Sequence, residues 1–286
     1  MSERRHLEPI PIQGLADYHV HCDYSIDAEG SIDEYCEAAL QRNLAEICFT
    51  THYDSNPSSA SGPVHVNSIR LNGEVMPITP DLLEHYVADV HRAHERYYPM
   101  GLSVKLGLEF GWFDGGEESL TRLKDRFDFD YVLCGIHELD DLCFCCEREY
   151  ERCFARYSPE EMAERYFRDA VTAIRTGLFD AIAHLDYYKK YGERVYGAII
   201  HDVHKPFLGE VFGALVATDT VMEINTSALR KGFPDYFPSA AIVNEARRAG
   251  VNVTKLGSDA HKPVDVGFDF EAASALAPPF IIGCDD

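Results

Sequence analysis

Seven short apolar runs recur along the chain, and segments with helix-start signals separate them. Runs that are apolar almost throughout are typical of strands buried on both faces, as in a parallel sheet covered by helices. Alternating strands and helices predict an α/β fold, either a barrel or a doubly wound sheet. Seven strands favour a distorted (β/α)7 TIM-like barrel. The runs are residues 15–20, 46–51, 103–110, 129–136, 179–184, 220–225 and 251–258.

Helix starts between the runs carry recognisable local chemistry. Ser31 precedes Glu34, and Ser158 precedes Glu161, each at the three-residue spacing of a capping box. Gly250 stands where a glycine would end the helix that precedes it. These signals predict helices in the connections between strands, as a barrel requires.

The length of 286 residues fits one α/β barrel of about 250 residues or two smaller domains. No Ser/Gly linker, charge block or internal repeat divides the sequence, so we expect a single domain over residues 1–286. Residues 54–78 are rich in Ser, Asn, Gly and Pro, and long loops without structure of their own are typically functional lids or disordered. We predict a lid or insertion loop there.

The charge balance limits the partners of the chain. There are 26 Lys and Arg residues against 48 Asp and Glu residues, a formal net charge of −22. Nucleic-acid affinity depends on clustered Lys and Arg that release counterions from phosphates, so a nucleic-acid partner is not expected. Anionic membranes should be repelled as well. A local cluster of metal ions could still hold one small phosphate ester.

Several features predict a cytoplasmic protein without a membrane anchor. No apolar run approaches the roughly 18 residues of a membrane span, and the opening segment MSERRHLEPIPIQG lacks the apolar core of a secretory signal. The nine cysteines are odd in number and lie mostly in apolar segments, which argues against a disulfide framework. Cys143, Cys145, Cys146 and Cys153 could form a thiolate site, although CxCC is not the knuckle usual for structural zinc.

Histidines and carboxylates fall at the ends of six of the seven runs. In parallel α/β barrels the carboxyl ends of the strands form the active face. His19 and His21 lie two residues apart, so both point to one side of a strand and can hold one ion. A single histidine at a strand end commonly has no metal role, but this convergence predicts a metal centre. The candidate ligands are His19, His21, Asp27, His52, Glu109, His137, His184, Asp259 and His261.

Imidazole and carboxylate ligands without thiolate suit Zn²⁺, Mn²⁺ or Fe, whereas Mg²⁺ avoids nitrogen-rich sites. The candidate ligands are too many for one tetrahedral ion. We therefore expect two to three divalent metal ions, with a carboxylate such as Glu109 as the bridge. Ions about 3.5 to 4 Å apart activate water and hold the oxygens of a displacement at phosphorus.

Several motifs occur in the order of a known family. They are DYHVHCDYSIDAEG, FTTHYD, LGLEF, DYVLCGIH, FDAIAHLDYYKK, MEINTSALRKG and LGSDAH, spread over residues 15–267. In this combination the chain resembles the PHP (polymerase and histidinol phosphatase) superfamily, and within it the stand-alone histidinol-phosphate phosphatases. The resemblance implies a (β/α)7 barrel with a trinuclear metal site at the carboxyl ends of the strands.

The resemblance also implies roles for individual residues. It points to Lys190 and Arg230 as the cations that hold the phosphate. Asn225 on the sixth run is interpreted as a hydrogen-bonding wall, and Glu223 as structural or substrate-facing. The implied ligand sets are His19, His21, Glu109 and Asp259 for one ion, Glu109, His137 and His184 for a second, and Asp27, His52 and His261 for a third.

The resulting hypothesis is a metal-dependent phosphomonoesterase that hydrolyses L-histidinol phosphate. Glu109, Asp259 and His261 are the expected catalytic group, with a metal-bridged hydroxide as the nucleophile. One alternative is a nuclease or nucleotide phosphoesterase of the same superfamily, which the shortage of Lys and Arg disfavours. Another is a non-catalytic metal-binding module, which predicts missing ligands, whereas every ligand position is filled.

Overall fold

A computed structural model describes residues 14–61 and 67–277, in which short strands alternate with helices. The strands are β1 (Ala16–Val20), β2 (Glu46–Phe49), β3 (His52–Asp54), β4 (Ser68–Leu71), β5 (Glu74–Pro77), β6 (Ser103–Gly111), β7 (Tyr131–Gly135), β8 (Glu138–Leu139), β9 (Leu142–Cys143), β10 (Ala181–Ile182), β11 (Val221–Met222), β12 (Ile224–Asn225) and β13 (Leu256–Gly257). The α-helices are α1 (Ile32–Gln41), α2 (Pro80–Tyr97), α3 (Gly116–Arg126), α4 (Tyr150–Phe154), α5 (Pro159–Arg175), α6 (Lys189–Tyr196), α7 (Leu208–Thr218), α8 (Ser227–Arg230), α9 (Ala240–Arg248) and α10 (Phe270–Ala273).

The principal sheet is parallel and curled. Its neighbours follow the order β1, β2, β6, β7, β10 and β11, and β3 continues the pairing along β6. β12 and β13 form a further parallel pair. The chain after β13 lies beside the end of β1, where the His21 amide donates to the Ala260 carbonyl at 2.9 Å. Each of the seven predicted runs contains a strand. The predicted α/β fold with a distorted (β/α)7 barrel is confirmed.

Capping chemistry sets the helix starts, as the sequence predicts. The Ser31 side chain accepts from the Glu34 amide, and the Ser31 amide donates back to the Glu34 carboxylate at 2.7 Å. Ser158 and Glu161 form the same box at the start of α5. Gly250, just past α9, has φ of 87°, a left-handed conformation that glycine adopts without a steric penalty. None of the described helices is both long enough and apolar enough to cross a bilayer.

Apolar helix faces cover the sheet and hold its strand ends in place. On α2, Leu83, Tyr86 and Val90 recur at helical spacing and are buried where the helix packs on β6. The Tyr86 hydroxyl also donates to the Phe49 carbonyl at the end of β2, at 2.7 Å. Each such burial stabilises the fold by about 1.5–3 kcal/mol, so the strands that carry the candidate site rest on a packed core.

Residues 68–77 of the predicted lid have regular structure of their own. β4 and β5 pair as an antiparallel hairpin, in which Ser68 lies opposite Pro77. Asn72 and Gly73 form its tip with φ of 52° and 81°, the positive values that a tight hairpin turn needs and that Asn-Gly supplies. Residues 62–66 of the predicted lid lie outside the described residues. Lid function itself stays a prediction.

Candidate active site

The predicted ligand side chains lie together at the carboxyl ends of the strands. His19 is in β1, His52 in β3 and Glu109 in β6, and the remainder follow the ends of β1, β7, β10 and β13. β3 pairs with β6 in the register that sets His52 opposite Glu109. Parallel strands therefore bring residues from distant parts of the sequence to one edge of the barrel.

Glu109 stands at the centre of the group and is fully buried. Each carboxylate oxygen faces imidazole nitrogens from different strands. The contacts are from Oε2 to His19 Nε2 at 3.2 Å, His21 Nε2 at 3.4 Å and His52 Nδ1 at 2.9 Å, and from Oε1 to His137 Nε2 at 3.2 Å and His184 Nε2 at 2.9 Å. This is the geometry that a bridging carboxylate needs.

Asp259 and Asp27 extend the group toward the surface. Asp259 Oδ1 lies 3.5 Å from His21 Nε2 and 3.4 Å from His261 Nδ1. Asp27 Oδ2 lies 3.4 Å from His261 Nε2 and 3.9 Å from His52 Nε2. All nine candidate ligands predicted from the sequence are thereby brought into one connected cluster.

The donor set fits divalent metal ions. His19 Nε2, His21 Nε2 and Glu109 Oε2 are buried and make no hydrogen bond, although they lie close together. A buried polar atom without a partner costs about 1–3 kcal/mol, and a shared cation removes that cost for several atoms at once. Three groups of ligand atoms lie within 4.8 Å of one another: His21, His52 and His261; His19, His21 and Glu109; and His52, Glu109 and His137.

Burial and neighbouring charge shift the pKa values of the site in different directions. Burial, with help from His52 and His261, lowers the pKa of His21 well below its usual value, so this imidazole is neutral and able to bind a metal. Burial alone would raise the pKa of Glu109, but the surrounding imidazoles, His19 first, outweigh it and lower the pKa. Glu109 is therefore an ionised carboxylate despite its burial.

Two carboxylates that hold candidate ligands were missed by the sequence reasoning or left without a definite role. Asp54 Oδ1 lies 2.7 Å from His137 Nδ1, and Glu223 Oε1 lies 2.7 Å from His19 Nδ1. Such acceptors fix the tautomer and orientation of a metal-binding imidazole. The signal for Asp54 was present, since it follows His52 by two residues on β3 and points to the same side of the strand.

A cavity of about 240 Å³ opens over the cluster, and three cationic side chains line it. Lys190 Nζ donates to the Cys145 carbonyl at 2.8 Å and to the Tyr187 hydroxyl at 3.0 Å. Lys231 Nζ donates to Asp259 Oδ2 at 3.0 Å. Sequence reasoning missed Lys231, although it follows Arg230 directly in the ALRKG segment. The cavity therefore pairs a metal-binding floor with a basic wall.

Arg230 and Asn225 are placed differently from one another. Arg230 lines the cavity, and its Nη2 donates to the carbonyls of Ser258 and Asp259 at 2.9 and 3.0 Å, while Nη1 makes no hydrogen bond. Asn225 is fully buried, does not line the cavity, and accepts from the Ser227 amide at 3.0 Å. Arg230 thus has one buried guanidinium nitrogen without a hydrogen bond, whereas Asn225 stabilises the turn after β12.

The cysteines of the 143–153 segment show no metal-site geometry. Cys143 and Cys145 bring their sulfurs to 3.6 Å, but none of the metal-capable groups among the described residues contains a cysteine. Burial raises the pKa of the Cys143 thiol, which keeps it protonated and a poor metal ligand. The described geometry gives no support to a thiolate site.

Comparison with known proteins decides the family. A family model described as the PHP domain matches residues 17–227 of the chain. The chain belongs to the PHP domain family. The resemblance predicted from the sequence motifs is therefore confirmed.

Relatives of this PHP chain match most of its length. A Deinococcus radiodurans protein named "probable histidinol-phosphatase" is 30% identical over 263 residues, which cover 91% of both chains. The histidinol-phosphatase of Lactococcus lactis is 25% identical over 246 residues, 86% of this chain and 83% of that one. Both matches thus cover more than four-fifths of each chain.

Solved structures share the fold. The crystal structure of histidinol phosphate phosphatase from Lactococcus lactis, complexed with zinc, L-histidinol and phosphate, superposes with a TM-score of 0.73 at 22% identity. The superposition covers 92% of each chain. This PHP protein therefore has the same barrel fold as that structure.

Proposed function

We propose that this PHP protein is a metal-dependent phosphomonoesterase that hydrolyses L-histidinol phosphate to L-histidinol and phosphate, a step of histidine biosynthesis. The observation that carries the proposal is the convergence of five imidazoles on the buried carboxylate Glu109, beneath a cavity with a basic wall. Relatives named "probable histidinol-phosphatase" that match about nine-tenths of the chain support the choice of substrate.

The proposed cofactors are two to three divalent ions, Zn²⁺, Mn²⁺ or Fe. When bound, such ions supply Lewis-acid activation of water and neutralise charge on the phosphoryl group. The residues proposed to hold them are His19, His21, Glu109 and Asp259 for one ion, Glu109, His137 and His184 for a second, and Asp27, His52 and His261 for a third. Contacts within each set support this division, and the 2.9 Å contact between His52 Nδ1 and Glu109 Oε2 joins the third set to the other two.

The protein's own cations are proposed to orient the phosphate. Lys190 and Lys231 project into the cavity, and the unpaired Nη1 of Arg230 adds a third donor. Donors fixed before the reaction stabilise charge on the phosphoryl oxygens without reorganisation. Glu109, Asp259 and His261 form the proposed catalytic group, and a cavity of about 240 Å³ suits a small ester better than a polynucleotide.

Substrate preference tests the proposal. The purified protein, loaded with zinc, is assayed for kcat/KM with histidinol phosphate, a nucleoside 5′-monophosphate and a short oligonucleotide. We expect histidinol phosphate to be preferred by at least ~100-fold, because matched polar contacts in a closed pocket discriminate strongly between substrates. A preference for either nucleic-acid substrate would overturn the proposal in favour of a nuclease or nucleotide phosphoesterase.

Two ligand variants test the site itself. His137→Ala and Asp259→Ala should each lower kcat/KM by at least ~100-fold, because each removes a group proposed to hold a catalytic ion. His201→Ala is the matched control, since His201 is an exposed histidine that pairs with Glu193 at 3.5 Å. Wild-type activity in both ligand variants would contradict the assignment.

A further inference from the structure

The loop between β1 and α1 carries Asp27 but belongs to no helix or strand. Some of its backbone carbonyls accept within the loop, as Ser25 O does from the Ala28 amide at 3.1 Å. The others need partners from elsewhere, since unpaired buried carbonyls are costly. Asp27 itself reaches the candidate site from this loop, with Oδ2 at 3.4 Å from His261 and 3.9 Å from His52. The position of this carboxylate is only as well defined as the loop that bears it.

One side chain of the hairpin, Arg70 in β4, donates hydrogen bonds to the carbonyls of this loop. Its guanidinium donates to four backbone carbonyls between residues 23 and 28. The Arg70 amide also donates to the Tyr24 carbonyl, at 2.8 Å. The guanidinium contacts are from Nη1 to Asp23 O at 3.2 Å, Ser25 O at 3.3 Å and Ala28 O at 2.8 Å, and from Nη2 to Ile26 O. Arg70 thus gathers the loop on both sides of Asp27.

The same loop also touches the floor of the site through Ser25. The Ser25 hydroxyl lies 3.3 Å from His21 Nδ1 and 2.8 Å from the Thr51 hydroxyl, and it accepts from the His52 amide at 3.2 Å. A guanidinium with its planar fork of donors suits four converging carbonyls in a way that a lysine ammonium cannot match. Arg70 therefore holds the carbonyls of the loop, while the Ser25 side chain links the loop to His21 and to the backbone of His52.

We propose that Arg70 is a positioning residue that holds Asp27 at the third metal-ion position. The inference rests on the proposed function, because it takes Asp27 as a metal ligand. It gives the hairpin of β4 and β5 a role in shaping the metal centre that is separate from closure over a substrate. Without the guanidinium the loop should become mobile, and the ion that Asp27 helps to hold should bind more weakly. Binding of the ions around Glu109 should change little.

Stepwise zinc titration of the metal-stripped full chain tests this inference. Asp27→Asn identifies the binding step that depends on Asp27, and Arg70→Met removes all guanidinium donors at similar length. We expect Arg70→Met to raise the Kd of that same step by roughly 10- to 100-fold, the range for groups that orient metal ligands. In the Asp27→Asn background, Arg70→Met should add little, because its effect passes through Asp27.

Arg96→Met is the matched control, since Arg96 lines one surface cavity with Arg70 but directs its guanidinium to Asp33, at 2.7 Å, on α1. Arg70→Lys, which keeps the charge and three donors, should raise the Kd less than Arg70→Met and serves if the latter does not fold. Wild-type zinc binding in the Arg70 variants would overturn the inference about Arg70 and leave the proposed function standing. The same holds if Arg70→Met raises the Kd by as much in the Asp27→Asn background as in the wild type. An unaltered titration in Asp27→Asn would instead remove the ligand role on which it rests.

Discussion

Imidazoles around Glu109 are held by groups behind them as well as by the carboxylate in front. His19 Nδ1 meets Glu223, His137 Nδ1 meets Asp54, and both acceptors are buried. A carboxylate behind an imidazole raises its basicity and fixes the nitrogen that faces the metal. The precision of the cluster therefore depends on residues that are not ligands themselves.

Glu223→Gln should lower zinc affinity by about 10- to 100-fold, because it removes the charge behind His19 while keeping the shape of the side chain. The measurement is competition with a zinc chelator of known affinity. Glu118→Gln is the control, since Glu118 is 80% exposed and pairs with Arg122 on the surface of α3. Equal affinity in the Glu223 and Glu118 variants would show that the contact with His19 is without consequence.

His204 gives the protein a specific sensitivity to acid. It is 8% exposed, and burial, followed by the nearby charge of Lys189, lowers its pKa to about 4. An unfolded histidine titrates near 6.5, so the unfolded state binds more protons between these values. The stability that neutral His204 provides is complete above pH 6.5 and is lost as the pH falls through 4.

We expect the free energy of unfolding of the metal-free protein to fall less between pH 7 and pH 4 in His204→Gln than in the wild type, by about 2–3 kcal/mol. Urea unfolding at several pH values measures this difference. His201→Gln, at an exposed neighbouring position, should keep the wild-type slope. Parallel pH profiles for all three proteins would refute the role of His204.

Glycines at the strand ends make room for the site. A methyl group on Gly135, the last residue of β7, would lie 2.6 Å from the His137 imidazole and 2.8 Å from Glu109 Oε1. One on Gly257, at the end of β13, would meet Glu223 and the Cβ of His19. The site side chains can pack together at this edge of the sheet because the neighbouring backbone positions are glycines, which have no side chain.

Gly135→Ala should lower kcat/KM by at least ~10-fold, because the methyl group displaces His137 or Glu109 from the positions in which they meet. Gly213→Ala in α7 is the control, because a methyl group there has no neighbour within 4 Å. That variant should keep full activity and gain about 0.5–1 kcal/mol of stability, as replacing glycine inside a helix usually does. Steady-state kinetics and urea unfolding compare the two, and unchanged activity in Gly135→Ala would contradict the steric account.

The main elements could be predicted from the sequence because their signals are local. Apolar runs located β1, β2, β6 and β7, and capping boxes located the starts of α1 and α5. The pair of β8 and β9, with two residues in each strand, has no periodicity to detect. Strands β11 and β12 divide one predicted run because Ile224 and Asn225 pair with β13 while Val221 and Met222 pair with β10. Such a change of partner is a property of the closing barrel.

Most of the candidate ligands could be predicted because they lie at or just after strand ends, whereas Asp27 lies in a loop and the supporting residues depend on contacts across the fold. Arg70 lies in a hairpin that the composition marked as loop, and its contact with the Asp23 carbonyl spans 47 positions of the sequence. Lys231 becomes a candidate only in the structure, which places its Nζ 3.0 Å from Asp259 Oδ2. Sequence patterns therefore identify chemistry at strand ends, and the tertiary structure identifies what orients it.

Across the whole molecule, acidic groups at the barrel mouth and a net charge of −22 make bound cations stabilising. Ligands that bind only the folded state add about 2.7 kcal/mol at one hundred times Kd, which corresponds to roughly 5–10 °C in Tm for a chain of this size. We expect EDTA to lower Tm by this amount and excess Zn²⁺, but not Ca²⁺, to restore it in differential scanning calorimetry. A Tm indifferent to EDTA would speak against a metal centre.

The most direct measurement is anomalous diffraction at the zinc edge from crystals soaked in zinc chloride without chelator. The account predicts two or three anomalous peaks at the carboxyl ends of the strands, with Glu109 oxygens and the facing imidazole nitrogens within about 2.0–2.2 Å of them. Peaks only on the outer surface, with no ion coordinated by Glu109, would contradict it.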